Sequence, residues 1–383
     1  MSGVRVREGA AIEVVAPDDD ARIFLYTRHQ DIGLNAPLPR ELRFEMHLQA
    51  GDLDEAQSTG VRIATAIASI AAFTANASAE PPRFEFAYDS TPDVTRRAYR
   101  QIQQPAAPLE LSSGRWLPEA EFSAVVHAVS RSPHAERLRR AFGQYEVALR
   151  YWTTGALILC SDHLFMACEA LTPVIEEHFR SPGEEAIDHA ARLGIDTAAA
   201  CCVTCRQFVT KPWKGVLDAT VRSHYVFQDN AATYQAAKRA SDGLEHGFSD
   251  FDAIRALVTP TAAATFSYVR EAILTLLDLP DPVHATLAGL LPVDVSPVVK
   301  IVEGHLEGEV RDPLTLGPER GHPSLDWHTE IVKLDPTPDE SFDMDLRETF
   351  TVRTRDGVSF TGEGFRVLNG LNPVSDNESG TTS

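Results

Sequence analysis

From Phe142 onward, apolar residues return mostly at steps of three and four: Phe142, Tyr145, Leu149, Trp152, Ala156 and Leu159, then Leu164, Ala167, Leu171, Val174 and Ile175. That is the period of an α-helix, so one face of this stretch must be buried against other helices. The stripe predicts a long helical block over Phe142–Phe179, with Pro173 kinking its last turns because proline lacks a backbone donor. Pro118 followed by Glu119 and Glu121 suits a helix start, where proline is tolerated and acids complement the dipole. Further helices are expected over Glu184–Leu193, Ala198–Phe208, Val216–Phe227, Ala231–Ala240 and Ala262–Leu277, and Leu279–Pro282 (LPDP) is read as the end of the bundle.

The flanks read differently. Ala11–Val15, Ile23–Thr27, Arg43–Leu48 and Arg83–Tyr88 have strand patterns, and Leu53–Asn76 between them has helical spacing. Val298–Glu303, Leu306–Val310, Trp327–Leu334 and Glu348–Arg353 are again strand-like, and Asp356-Gly357 is a hairpin signal because glycine supplies the positive φ of a tight turn. The expected fold class is α+β: residues 1–110 an N-terminal α/β module, 117–282 a helical bundle, 290–371 a C-terminal β-rich module and 372–383 a disordered tail. Gln101–Ser113, with Pro105 and Pro108, is the expected linker.

Charge narrows the partners. Lys and Arg number 35 against 55 Asp and Glu in 383 residues, a net charge of −20. Such acidity opposes non-specific attraction to nucleic acid or anionic membrane. Residues 301–383 carry 17 acids and 7 Lys or Arg, a net of −10, so half of the excess lies in about the last fifth of the chain. The five cysteines lie in helix-like sequence and suit a reducing cytoplasm better than a disulfide framework. The longest uncharged run, Ile63–Ala79, has 17 residues, fewer than the ~20 apolar residues of a membrane span, and is read as a buried helix.

Several groups have chemical potential. Arg239 and His246 stand seven residues apart, nearly two helical turns, so one helix would place both on one face. A guanidinium grips phosphate and an imidazole moves a proton near neutral pH, which together suffice for RNA cleavage without metal. Arg222 and Glu245 are candidates to assist. Against this, Ser241-Asp242-Gly243 is a helix-ending signal, which would leave the pair at a capped helix end with Asp242 or Glu245 paired locally. Cys201, Cys202 and Cys205 form a CCxxC cluster, but no second pair follows at zinc spacing, so buried thiols are expected and neither metal nor cofactor is assigned. Arg131, Arg137, Arg139, Arg140 and Arg150 are interleaved with Phe142, Tyr145 and Trp152, a mixture that can bind single strands. The aromatics belong to the apolar stripe, however, so the arginines are read as a solvated face, some paired to Glu136 and Glu146. No P-loop, GxGxxG or G-x-S-x-G signature is present.

Two segments carry a family resemblance: FGQYEVALRYWTTGALILCSDHLFMACEAL, with Glu169 in its late ACEAL turn, and VLDATVRSHYVFQDN downstream. Over roughly residues 120–280 they resemble the HEPN superfamily of helical bundles. The resemblance implies a glutamate on the early helix and an Arg-x4–6-His motif on the later one, which the ribonucleases of the family use at a dimer interface. Counted from Arg222, the histidine positions hold Phe227, Gln228 and Asp229, and His224 lies about 200° round a helix from it. The sequence reading is therefore a cytoplasmic HEPN-like interaction or sensing protein without intact nuclease chemistry. The alternative is a metal-independent ribonuclease using Arg239 and His246. Expected partners are another protein or RNA, with homodimerisation through the bundle and no membrane.

Overall fold

The computed structural model describes residues 3–15, 21–31, 33–34, 36–93, 95–102, 114–153, 155–197, 212–246, 250–295, 300–310, 324–336, 342–353 and 358–369, with backbone alone at 212, 245–246 and most of the last four strands. The chain is of the mixed α+β class and divides into two compact units, one of residues 1–28 and 41–295, the other of 29–40 and 296–383.

The first unit opens with β1 (Val4–Arg5), β2 (Ile12–Val15), β3 (Ala21–Gln30) and β4 (Leu38–Leu48). The order β2-β3-β4 makes a three-stranded sheet. Ile12 lies opposite Leu25 and Val14 opposite Ile23, all four buried, while Glu13 and Val15 face out. This is the two-residue alternation of a half-buried sheet. Helix α1 (Leu53–Ala75) starts at Asp52, whose side chain accepts from the Glu55 backbone N–H, while Glu55 accepts from the Gly51 N–H at 2.7 Å. It ends at Asn76 in the left-handed conformation, φ 46°, which asparagine tolerates well. The hairpin β5 (Phe86–Tyr88) and β6 (Tyr99–Gln101) follows, then β7 (Arg115–Trp116), which pairs in parallel with β1.

The bundle comprises α2 (Glu119–Arg131), α3 (Ala135–Arg150), α4 (Leu157–His178), α5 (Ala186–Arg192), α6 (Pro212–Val221), a π-helical turn Arg222–Val226, α7 (Ala231–His246), α8 (Phe251–Val258), α9 (Ala262–Leu277) and α10 (Asp281–Ala288). Its centre is aromatic. Phe73 of α1 meets Phe142 and Tyr145 of α3 at 4.8 and 5.2 Å between ring centres, and Phe266 of α9 meets Tyr145 and Trp152 at 5.3 and 5.0 Å. All four contacts are edge-on, the arrangement that ring quadrupoles favour. Helices α1 and α4 are long and apolar enough to cross a membrane, but more than half of the apolar 18-residue stretch of each is buried in the protein, as in core helices.

Three expectations are corrected. The predicted block over Phe142–Phe179 is two helices, because the chain turns at Tyr151–Ala156, where Gly155 takes φ +87° and Trp152 is drawn into the core. The predicted stop at Ser241-Asp242-Gly243 does not occur, since α7 continues to His246 and Asp242 pairs with Lys238 one turn earlier. The bundle does not end at LPDP, because Pro282 sits in the first turn of α10, where its missing N–H costs nothing. Helix α4 runs through Pro173 to His178.

In the second unit, β8 (Lys300–Val310) pairs antiparallel with β11 (Val358–Asn369), and β9 (Ser324–Pro336) with β10 (Phe342–Arg353). The expected hairpin at Asp356-Gly357 would have paired β10 with β11; the ladders among the described residues run instead within the two nested pairs. Its turn residues, like the linker 103–113, the helix 198–208 and the tail 372–383, lie outside the described residues. Leu34, Ala36 and Leu38, at the tip between β3 and β4, pack with Leu334 of β9 in this unit's own apolar cluster.

Candidate functional site

The site grows from the junction of α6 and α7. After Val221 the backbone widens into the π-helical turn, closed by the Phe227 N–H on the Arg222 carbonyl at 3.0 Å. Such single turns mark functional positions more often than ordinary helix does. Gln228 and Asp229 are then left-handed, φ 51° and 60°, and the Asp229 N–H reaches back to the Ser223 carbonyl at 2.9 Å. Asn230 starts α7 by accepting from the Thr233 N–H at 3.1 Å. The motif D-N before AATY is thus a helix start legible in sequence, whereas nothing in the periodicity announced the π turn.

Two consecutive faces of this turn do different things. Arg222 points inward to α4. Its guanidinium lies 3.6 Å from Glu169 and 3.5 Å from the Thr172 hydroxyl, and 5.4 Å over the Phe165 ring. The Arg222 side chain is 14% exposed and that of Glu169 45%, so the pair is half-wet, and the packing against Phe165 holds the arginine. Beside it, burial pushes the Cys168 thiol up to about 12, with Arg222 opposing the shift, so this cysteine is an inert core residue.

His224 points the other way. Its Nδ1 lies 3.0 and 2.9 Å from the two oxygens of Asp229, which fixes the ring and leaves Nε2 outward. Together with Leu193, Gly215, Val216, Ala219, Thr220, Ser223 and Tyr234 they line an open-mouthed cavity of about 610 Å³. Tyr234 is 6% exposed and its hydroxyl has no hydrogen-bond partner among the described residues. A buried hydroxyl without a partner carries a desolvation cost. The outer wall is braced by α5. Arg192 grips Glu184 with two bonds of 2.9 and 3.0 Å, and Tyr225 of the π turn stacks flat on Phe179 at 4.2 Å. The Arg192 bonds and the Ser181 N–H hold the Glu184 carboxyl at about 2.

The residues singled out from sequence are distributed as follows. Arg222 and Glu169 are together. Arg239 is exposed on α7, and because that helix is continuous, His246 lies on the same face about 10 Å further along the axis. Glu245 and His246 are described by backbone only, and Cys201, Cys202 and Cys205 lie outside the described residues. Among the described residues no cluster of His, Cys, Asp or Glu is arranged to hold a metal ion. His163 is a satisfied boundary residue, bonded to Gln144 at 2.8 Å and stacked on Tyr151, and burial lowers its pKa. Arg140 pairs with Glu136 on an exposed face, as expected, whereas Glu146, paired with Arg150 at 2.6 Å, is buried, and burial raises its pKa. The cavity escaped the sequence reading because its lining comes from positions between 193 and 234 that no local motif unites.

No family model, no curated protein and no solved structure matches this chain.

Proposed function

We propose that the chain is a HEPN-like interaction or sensing protein whose helical bundle works without nuclease chemistry. The observation that supports this is the position of Arg222. The arginine that begins the downstream motif is turned inward to Glu169 and Phe165, and the nearest histidine, His224, is turned away from it toward a cavity with its own carboxylate partner. A phosphate clamp needs its arginine free to make a bidentate contact, and a general base must lie within hydrogen-bond reach of the same substrate. In this reading Arg222 serves the fold, and the N-terminal α/β module, the bundle and the acidic C-terminal module offer surfaces to a protein or RNA partner, in a cytoplasmic protein that pairs through its bundle.

A double-mutant cycle tests the role of Arg222. Arg222→Gln removes the ion pair and the contact with Phe165, so it lowers unfolding stability by about 1–2 kcal/mol. With Glu169→Gln it shows a coupling of about 0.5–1 kcal/mol in urea denaturation. Unchanged stability in Arg222→Gln would remove the reading's support.

One observation favours a second reading, a metal-independent ribonuclease. Because α7 is unbroken through Gly243, Arg239 and His246 share a face, and Arg239 is exposed there.

A further inference from the structure

We infer that the cavity beside the π-helical turn binds a small amphipathic amine, its ammonium against Asp229 and its apolar body on Val216, Leu193 and the Tyr234 ring. This rests on the sensing reading and names what is sensed. The nine lining residues include no lysine or arginine and one carboxylate, Asp229. Among the described lining residues the one carboxylate, Asp229, is held by His224 and is 69% exposed, so a cation is drawn both by it and by the field of a chain at −20, which repels an anion. The volume, about 610 Å³, is that of a small-molecule site, and the walls combine aliphatic and aromatic surface with a few polar groups, as such sites do.

The polar groups are placed for this use. His224 and the left-handed backbone at Gln228 and Asp229 hold the carboxylate at the rim, in a conformation that persists only where its surroundings enforce it. Tyr234 lines the inner wall with its side chain, its hydroxyl buried away from the opening. Ser223 and Thr220 supply two hydroxyls.

Titration calorimetry of the full-length protein with tyramine, and with 4-hydroxyphenylacetate as its anionic counterpart of similar shape, tests the proposal. Tyramine is expected to bind one-to-one, and 4-hydroxyphenylacetate at least about tenfold more weakly. Asp229→Asn should weaken tyramine binding by about tenfold without unfolding the protein, because asparagine tolerates the left-handed conformation as aspartate does. Gly215→Leu is the second variant. Gly215 is helical, and a side chain begun there meets nothing within 4 Å, so leucine fits the helix and fills the mouth of the cavity. It should abolish tyramine binding while preserving or raising the melting temperature. Absence of tyramine binding, equal binding of the anion, or binding indifferent to both substitutions overturns the proposal. RNA cleavage by the same preparation bears on the nuclease question alone, so the two readings fail separately.

Discussion

Arg270 shows how much of this fold depends on single side chains acting across long stretches of sequence. It is 3% exposed and has no carboxylate in salt-bridge contact among the described residues. Its donors go to the carbonyls of Phe73 at 2.5 Å, Thr74 at 3.5 Å and Leu287 at 2.8 Å, and its guanidinium lies 4.6 Å over the Phe73 ring. Helix α1 has no basic residue in its own last turn, so Arg270, with Arg115 on the Ala75 carbonyl, supplies the positive charge that a helix C-terminus favours. Burial lowers the pKa of both arginines. Replacing Arg270 by alanine removes the charge-assisted bonds to all three carbonyls, of which Phe73 keeps the Asn76 N–H and Leu287 the Leu290 N–H, and the variant should lose about 3 kcal/mol in urea denaturation. The pairs Glu136–Arg140 and Glu146–Arg150 were legible because four-residue spacing is local. The partners of Arg270 were not, because they lie up to 197 positions away.

At the scale of elements, apolar periodicity located the helices and local backbone demands set their ends. The stripe from Phe142 continues in register through Trp152 although the helix does not, because Trp152 packs on Phe266 from a turn rather than from a helix. Gly155 makes that turn possible at φ +87°. Gly155→Ala meets open space but a left-handed backbone, so it should destabilise the protein by about 1 kcal/mol, measured as a shift in denaturation midpoint. The brace on the π turn makes a pH prediction. Glu184 ionises at about 2 in the folded chain against an ordinary 4.5, so in acid the unfolded form binds the proton first. Its contribution is whole above the ordinary carboxylate range and is lost as pH falls from about 4.5 toward 2. Acid titration of stability should steepen across that window, and Glu184→Gln should remove that part of the slope. Persistence of the same slope in the variant contradicts the assignment. The π turn itself was not readable, since the contacts its residues make, Arg222 with Glu169 of α4 and Tyr225 with Phe179, are tertiary.

For the molecule as a whole, composition and periodicity made the α+β class readable, and the apolar length of α1 and α4 is used for internal packing. From sequence the chemistry was readable only as a choice between a ribonuclease using Arg239 and His246 and a bundle without nuclease chemistry. Sequence spacing could not show that Arg222 would meet Glu169 or that α7 would run on through Gly243, because both depend on packing between helices. The direct measurement is incubation of the purified full-length chain with labelled RNA and a chelator, beside His246→Ala. An intact RNA pool at all times, identical for both proteins, is the predicted result. Chelator-resistant cleavage that disappears in a folded His246→Ala variant would contradict the account and make α7 the site of catalysis.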